Sequence, residues 1–189
     1  MKRLLIVLTS ILGIILISTT ASANLRQDAI RSNNPDDLVK YLNTTKSGKK
    51  LNITKAKYTN NNYLVLVFKN KPKIKSKSQR ELLANNFQSV MNNIPKSFIK
   101  NGIAFFNGSN DGANMIIAFS TKKIAKHNYY SNVKSDSIKD FSEGVTAFYI
   151  DPYLSEKSDG LITSDPSTQG PKSGPDNETL IEVIQDAIE

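Results

Sequence analysis

The sequence predicts an α+β fold: an antiparallel sheet of about four to five strands with helices packed on one face, in an αββ-αββ-like order. Three observations carry this expectation. Two extended runs, Leu51 to Thr59 and Tyr63 to Lys69, flank Asn60-Asn61-Asn62. Apolar residues recur at helical intervals from Leu82 to Ile94. Two further extended runs, Ile103 to Phe106 and Met115 to Thr121, flank a second turn-rich segment.

The chain has 189 residues, the size of one domain, with 39% apolar and 22% charged residues, no Cys, no Trp and one His. Without Cys there is no disulfide scaffold, no thiolate metal site and no cysteine nucleophile. With a single His, an all-protein zinc or copper site would have to be built from carboxylates, so neither a metal nor another cofactor is expected.

Taken in order, Lys2 and Arg3 precede an apolar run from Leu4 to Ile17, and Ala21-Ser22-Ala23 follows in an A-x-A pattern. This is the pattern of a secretory leader, with cleavage expected after Ala23. A helix over the run would be about 21 Å long, short of the roughly 30 Å hydrocarbon core, so a cleaved leader is preferred to an anchor over residues 4–23. Either way the rest of the chain is expected outside the cytoplasm, periplasmic or secreted. Membrane contact is then peripheral unless the leader stays attached.

A short helix is expected at Leu25 to Arg31. Asn34-Pro35-Asp36-Asp37 marks the start of the next, with a capping side chain, Pro at the first helical position and carboxylates at the positive end of the dipole. The Asn triplet then supplies residues that tolerate the left-handed conformation of a tight hairpin turn. Leu64-Val65-Leu66-Val67-Phe68 is apolar on both faces, which places this strand centrally in the sheet, covered by helices on one side or by another layer. Ser78 and Glu81 have capping-box spacing for the main packing helix, whose Leu82, Leu83, Phe87, Val90, Met91 and Ile94 lead to the stop at Pro95. The loop Asn107 to Gly112 is read as a hairpin turn. It imitates half a calcium loop, but Ala118 stands where the bidentate Glu is required. Val145 to Ile150 is the fifth candidate strand.

Charge divides the chain. Residues 24–150 hold 21 Lys plus Arg against 8 Asp plus Glu, whereas residues 151–189 hold 2 against 9. The expected organisation is a leader (1–23), a basic α+β domain (24–151), an acidic Pro- and Gly-rich tether (152–176) and a short acidic amphipathic helix (177–189). That helix carries Leu180, Ile184 and Ile188 on one stripe and is too short to be stable alone. It is expected to dock, on its own domain or in a groove of an envelope protein.

The most unusual local feature is Lys69-x-Lys71-x-Lys73-x-Lys75-x-Lys77. If the backbone stays extended, alternate side chains share a side, and five ammonium groups stand roughly 6.5 to 7 Å apart. Lysines around Pro72 also discourage unwanted strand pairing. The functional expectation is a non-enzymatic binding or adaptor module that contacts an anionic lipid, an anionic polymer or a partner protein through this basic side. Nucleic acid is not expected, because no recognition-helix or aromatic RNA-binding pattern accompanies the charge. The alternative is a small extracytoplasmic hydrolase using His127, with Asp136, Asp140 and Ser120 nearby in sequence, or a carboxylate among Asp111, Glu143 and Asp151. No catalytic residue is assigned, since neither a nucleophile elbow nor a phosphate loop is present.

Overall fold

Local signals start each element where the chain chemistry demands it. In the computed structural model, residues 21–74, 76–109, 112–126, 144–151 and 177–188 are described. The apolar run read as a leader and the stretch 152–176 read as a tether lie outside them. Helix α1 passes through 21–32 and sinks Ala29 completely into the core. Helix α2 (Pro35–Leu42) is capped as its sequence requires: the Asn34 side chain accepts the N–H of Asp36, Pro35 opens the first turn, and Leu38, Tyr41 and Leu42 are buried.

A third helix, α3 (Lys46–Leu51), lies where the sequence suggested no element and ends on Leu51, the residue expected to begin a strand. Thr45 caps it, and Asn52, in the left-handed conformation at φ 56°, ends it and releases the chain into β1 (Ile53–Tyr58). Leu51 thus completes a helix turn instead of opening the hairpin. The hairpin itself forms as expected, with β2 (Tyr63–Phe68) antiparallel to β1 and Asn62 at φ 58° in the turn.

The cap of helix α4 (Lys77–Asn93) lies two residues earlier than expected. Ser76 and Gln79, not Ser78 and Glu81, form the reciprocal capping box, because S-x-x-Q meets the same geometry two residues sooner. The helix buries Leu83, Ala84, Phe87, Val90 and Met91 and leaves Leu82, expected in the core, 50% exposed. Ile94 takes an extended conformation ahead of Pro95, which closes the helix.

Strands β3 (Gly102–Ser109) and β4 (Gly112–Ser120) form the second hairpin, longer than expected, so that Asn107 and Gly108 are strand residues. After helix α5 (Thr121–Lys126), β5 (Ala147–Ile150) pairs with β4, and helix α6 (Asn177–Asp186) follows.

The five strands lie in the order β1-β2-β3-β4-β5. All pairs are antiparallel except β2 with β3, which are parallel from Tyr63 opposite Gly102 to Val67 opposite Phe106. The parallel pair follows from α4, which returns the chain to the end of the sheet where β2 began. The sheet is therefore mostly, not wholly, antiparallel. One face carries Leu64, Leu66, Phe68, Ile103, Phe105, Met115, Ile117 and Phe119 and packs with Ala29, Leu38, Leu42 and the inner side of α4. The other carries Val65, Ala104, Phe106, Ile116, Ala118 and Ala147, and α6 covers it. Helices thus lie on both faces, not on one, which accounts for the double-sided apolar character of β2.

Candidate functional site

The lysine-bearing segment begins where β2 stops. Beyond Phe68 the strand no longer pairs in the sheet, but the chain stays tethered: the N–H groups of Lys69 and Asn70 donate to the carbonyls of Asn52 (3.0 Å) and Leu51 (3.2 Å). Burial alternates over the next four residues. Pro72 and Ile74 are buried while Lys71 and Lys73 face solvent, so the predicted two-residue period holds over this stretch. Lys69 is also exposed. Lys75 lies outside the described residues. Lys77 departs from the extended run: it is the first residue of α4 and stands 3.9 Å from Glu81 one turn on.

The hydrogen bonds that hold this segment bring it against α3. The Asn70 side chain donates to the Lys50 carbonyl (2.7 Å), so the last turn of α3 and residues 69–70 form one continuous surface. Lys46, Lys49 and Lys50 are exposed on α3. Among the described residues, the ion pairs are Lys40 with Asp37 and Lys77 with Glu81; neither involves Lys46, Lys49, Lys50, Lys69, Lys71 or Lys73. Six ammonium groups from two chain segments thus meet solvent together. The sequence reading missed the three on α3. The signal for them was Thr45 as a cap three residues before Gly48, and Asn52 as a left-handed stop, bracketing Lys-Ser-Gly-Lys-Lys.

Asn107 fixes the base of this surface. It is 3% exposed, and its side-chain amide donates to the carbonyls of Phe68 (2.7 Å) and Asn70 (3.4 Å), while its oxygen accepts from Asn114 (3.3 Å). A residue in a calcium-like spacing proves to be a clamp between β3 and the outgoing lysine segment. The Arg80 guanidinium adds a second hold on the Ile74 carbonyl at 3.2 Å. Asn107→Ala should cost about 1–3 kcal/mol, the penalty for unpairing buried amide and carbonyl groups. Amide exchange at Lys69 and Asn70 should accelerate well beyond that at Leu66; equal acceleration at all three would show a general loss of stability instead of a local release.

No family model matches the chain, and neither the curated proteins nor the solved structures compared with it contain a match.

Of the groups named for catalysis, His127, Asp111, Asp136, Asp140 and Glu143 lie outside the described residues. Ser120 ends β4 with its hydroxyl accepting the N–H of Lys123 (3.3 Å) and its own N–H donating to the Thr146 hydroxyl (2.8 Å), the environment of a turn residue. The N–H of Asp151 donates to the Asn114 carbonyl. Among the described residues no group of three His, Cys, Asp or Glu is placed to hold a metal ion. No described helix is long and apolar enough to cross a membrane.

The predicted docking stripe of the C-terminal helix lies on this chain's own sheet. Ile184 is fully buried, and Leu180, Ile181 and Ile188 pack around it against Tyr63, Val65, Val67 and Tyr149. Lys55 of β1 donates to the Ile188 carbonyl at 3.4 Å, at the negative end of the helix dipole. Loss of hydration there, with Lys57 beside it, holds the Lys55 ammonium below its ordinary pKa. The contact is apolar in substance, with α6 acids Glu182 and Asp186 exposed.

Proposed function

We propose that the protein is an exported, non-enzymatic module that binds anionic surfaces through the lysines of α3 and the segment after β2. The observation that carries this reading is the exposure of Lys46, Lys49, Lys50, Lys69, Lys71 and Lys73 on two hydrogen-bonded segments, with none of them in an ion pair among the described residues. Unpaired exposed cations cost little to desolvate partially, and each contributes about 1 kcal/mol near an anionic membrane. The leader pattern at Lys2–Ala23 supports an extracytoplasmic setting, where such a surface meets phosphorylated headgroups and acidic polymers.

The test is sedimentation with vesicles of mixed phosphatidylglycerol and phosphatidylcholine across a salt series. Binding should fall steeply with salt and be absent on phosphatidylcholine alone. Lys69→Glu with Lys71→Glu should weaken binding at least thirtyfold, or about 2 kcal/mol from the two lost positive charges alone. Lys96→Glu with Lys100→Glu, the same change in net charge elsewhere on the domain, should weaken it far less. Equal losses for the two pairs would reduce the effect to overall charge and defeat the assignment of this surface.

A further inference from the structure

Among the described residues, Leu82 is the only large apolar side chain left exposed, at 50%. One such side chain is ordinary on a protein surface, and what sets this one apart is its position. Helix α4 turns Leu83, Phe87 and Val90 inward, so Leu82 projects from its outer side, flanked one turn away on either side by the exposed Ser78 and Asn85. From Leu82 to Pro95 the chain carries no charged residue, and the nearest acid, Glu81, faces Lys77 at 3.9 Å. Bringing this side of α4 against an apolar phase therefore strips water from no unpaired ion on it.

The helix also begins where the lysine segment ends. The bond from the Arg80 guanidinium to the Ile74 carbonyl (3.2 Å) and the reciprocal cap of Ser76 with Gln79 fix the first turns of α4 to the backbone that carries Lys71 and Lys73. Leu82 follows Lys77 by five residues, about 7.5 Å along the axis, and helical side chains lean toward the N-terminal end, which here is the lysine-bearing end. An apolar tip thus stands at the border of the basic surface on the same rigid unit.

We propose that the ligand of the basic surface is an anionic lipid bilayer, with Leu82 entering the acyl boundary while Lys69, Lys71, Lys73 and Lys77 meet the phosphates. This rests on the anion-binding reading and decides between its two sources of phosphate, because a headgroup has hydrocarbon beneath it and a soluble polymer has none. Charge attraction alone holds a protein loosely at a membrane, and an apolar insertion adds the second contribution that slows its escape. Burying the exposed half of a leucine strengthens binding about fivefold.

The chain has no Trp, so Leu82→Trp supplies a single fluorescent reporter. On vesicles of mixed phosphatidylglycerol and phosphatidylcholine its emission should move to shorter wavelength and be quenched by brominated acyl chains. Lys96→Trp, beyond the other end of α4, should show neither effect. Leu82→Ser should weaken sedimentation with the same vesicles about fivefold at an unchanged thermal midpoint, and should leave binding to long-chain polyphosphate as it was. Vesicle binding without a spectral shift, equal losses on vesicles and polyphosphate, or binding to polyphosphate alone would each overturn the insertion and leave the lysines standing as an anion site. Binding to neither probe by the unaltered chain would remove the anion-binding reading and the insertion with it.

Discussion

Phe87→Ala should lower the stability of the domain by about 3–5 kcal/mol, a large share of the roughly 5–15 kcal/mol that holds a domain together. Phe87 is fully buried at the centre of the α4–sheet contact. Its ring meets Phe68 edge-on at 5.5 Å between centroids and lies tilted against Phe105 at 4.4 Å, and Phe105 in turn stands edge-on to Phe119 at 6.4 Å. This aromatic row joins the helix to β2, β3 and β4, so truncation removes the transfer energy of a whole ring and opens a cavity between rigid elements that cannot collapse into it. Urea unfolding should show a lower midpoint at an unchanged slope. Phe87→Leu, which keeps most of the volume, should lose less than half as much; equal losses would place the cost in the ring geometry instead of the cavity.

Gly48→Ala should also destabilise, by about 3 kcal/mol, although alanine ordinarily stabilises a helix by about 1 kcal/mol over glycine. Gly48 sits in the first turn of α3, and a Cβ there would run into the Leu42 carbonyl, with the carbonyl carbon at 2.6 Å and the Thr45 hydroxyl at 3.0 Å. The obstacle is the backbone at the end of α2, which cannot swing aside as a side chain would. The same Thr45 hydroxyl donates to Leu42 (2.6 Å) and accepts the Gly48 N–H (3.1 Å), so the clash also strains the cap. Because α3 flanks residues 69–70, anion binding should weaken along with stability. A thermal midpoint equal to or above that of the unaltered chain would refute the close approach.

What could be read from the sequence was whatever is decided within a few residues. Asn34-Pro35-Asp36-Asp37 starts α2 by capping alone, and Asn62 turns the first hairpin because it accepts positive φ. The alternation of Pro72 and Ile74 with Lys71 and Lys73 was likewise local. What escaped depends on distant partners. Leu51 fits a helix end and a strand start equally well, and Asn52 in the left-handed region decides between them. The parallel pairing of β2 with β3 depends on where α4 leaves the chain, and no short window records it. The union of the α3 lysines with Lys69 and Lys71 depends on Asn70 reaching Lys50, a bond across twenty residues. The α6 stripe at Leu180, Ile184 and Ile188 was plain in the sequence, but its seat opposite α4 became visible only once Val65 and Ala104 were placed on the same face.

The strands stand in space in the order in which they occur along the chain. A polypeptide that emerges from a pore amino end first can therefore add each strand to a waiting edge as it appears, with no gap to be filled later by a distant segment. Assembly of this kind proceeds vectorially, each new strand pairing at the margin that the preceding one has just formed, which limits the time during which an unpaired strand can find the wrong neighbour.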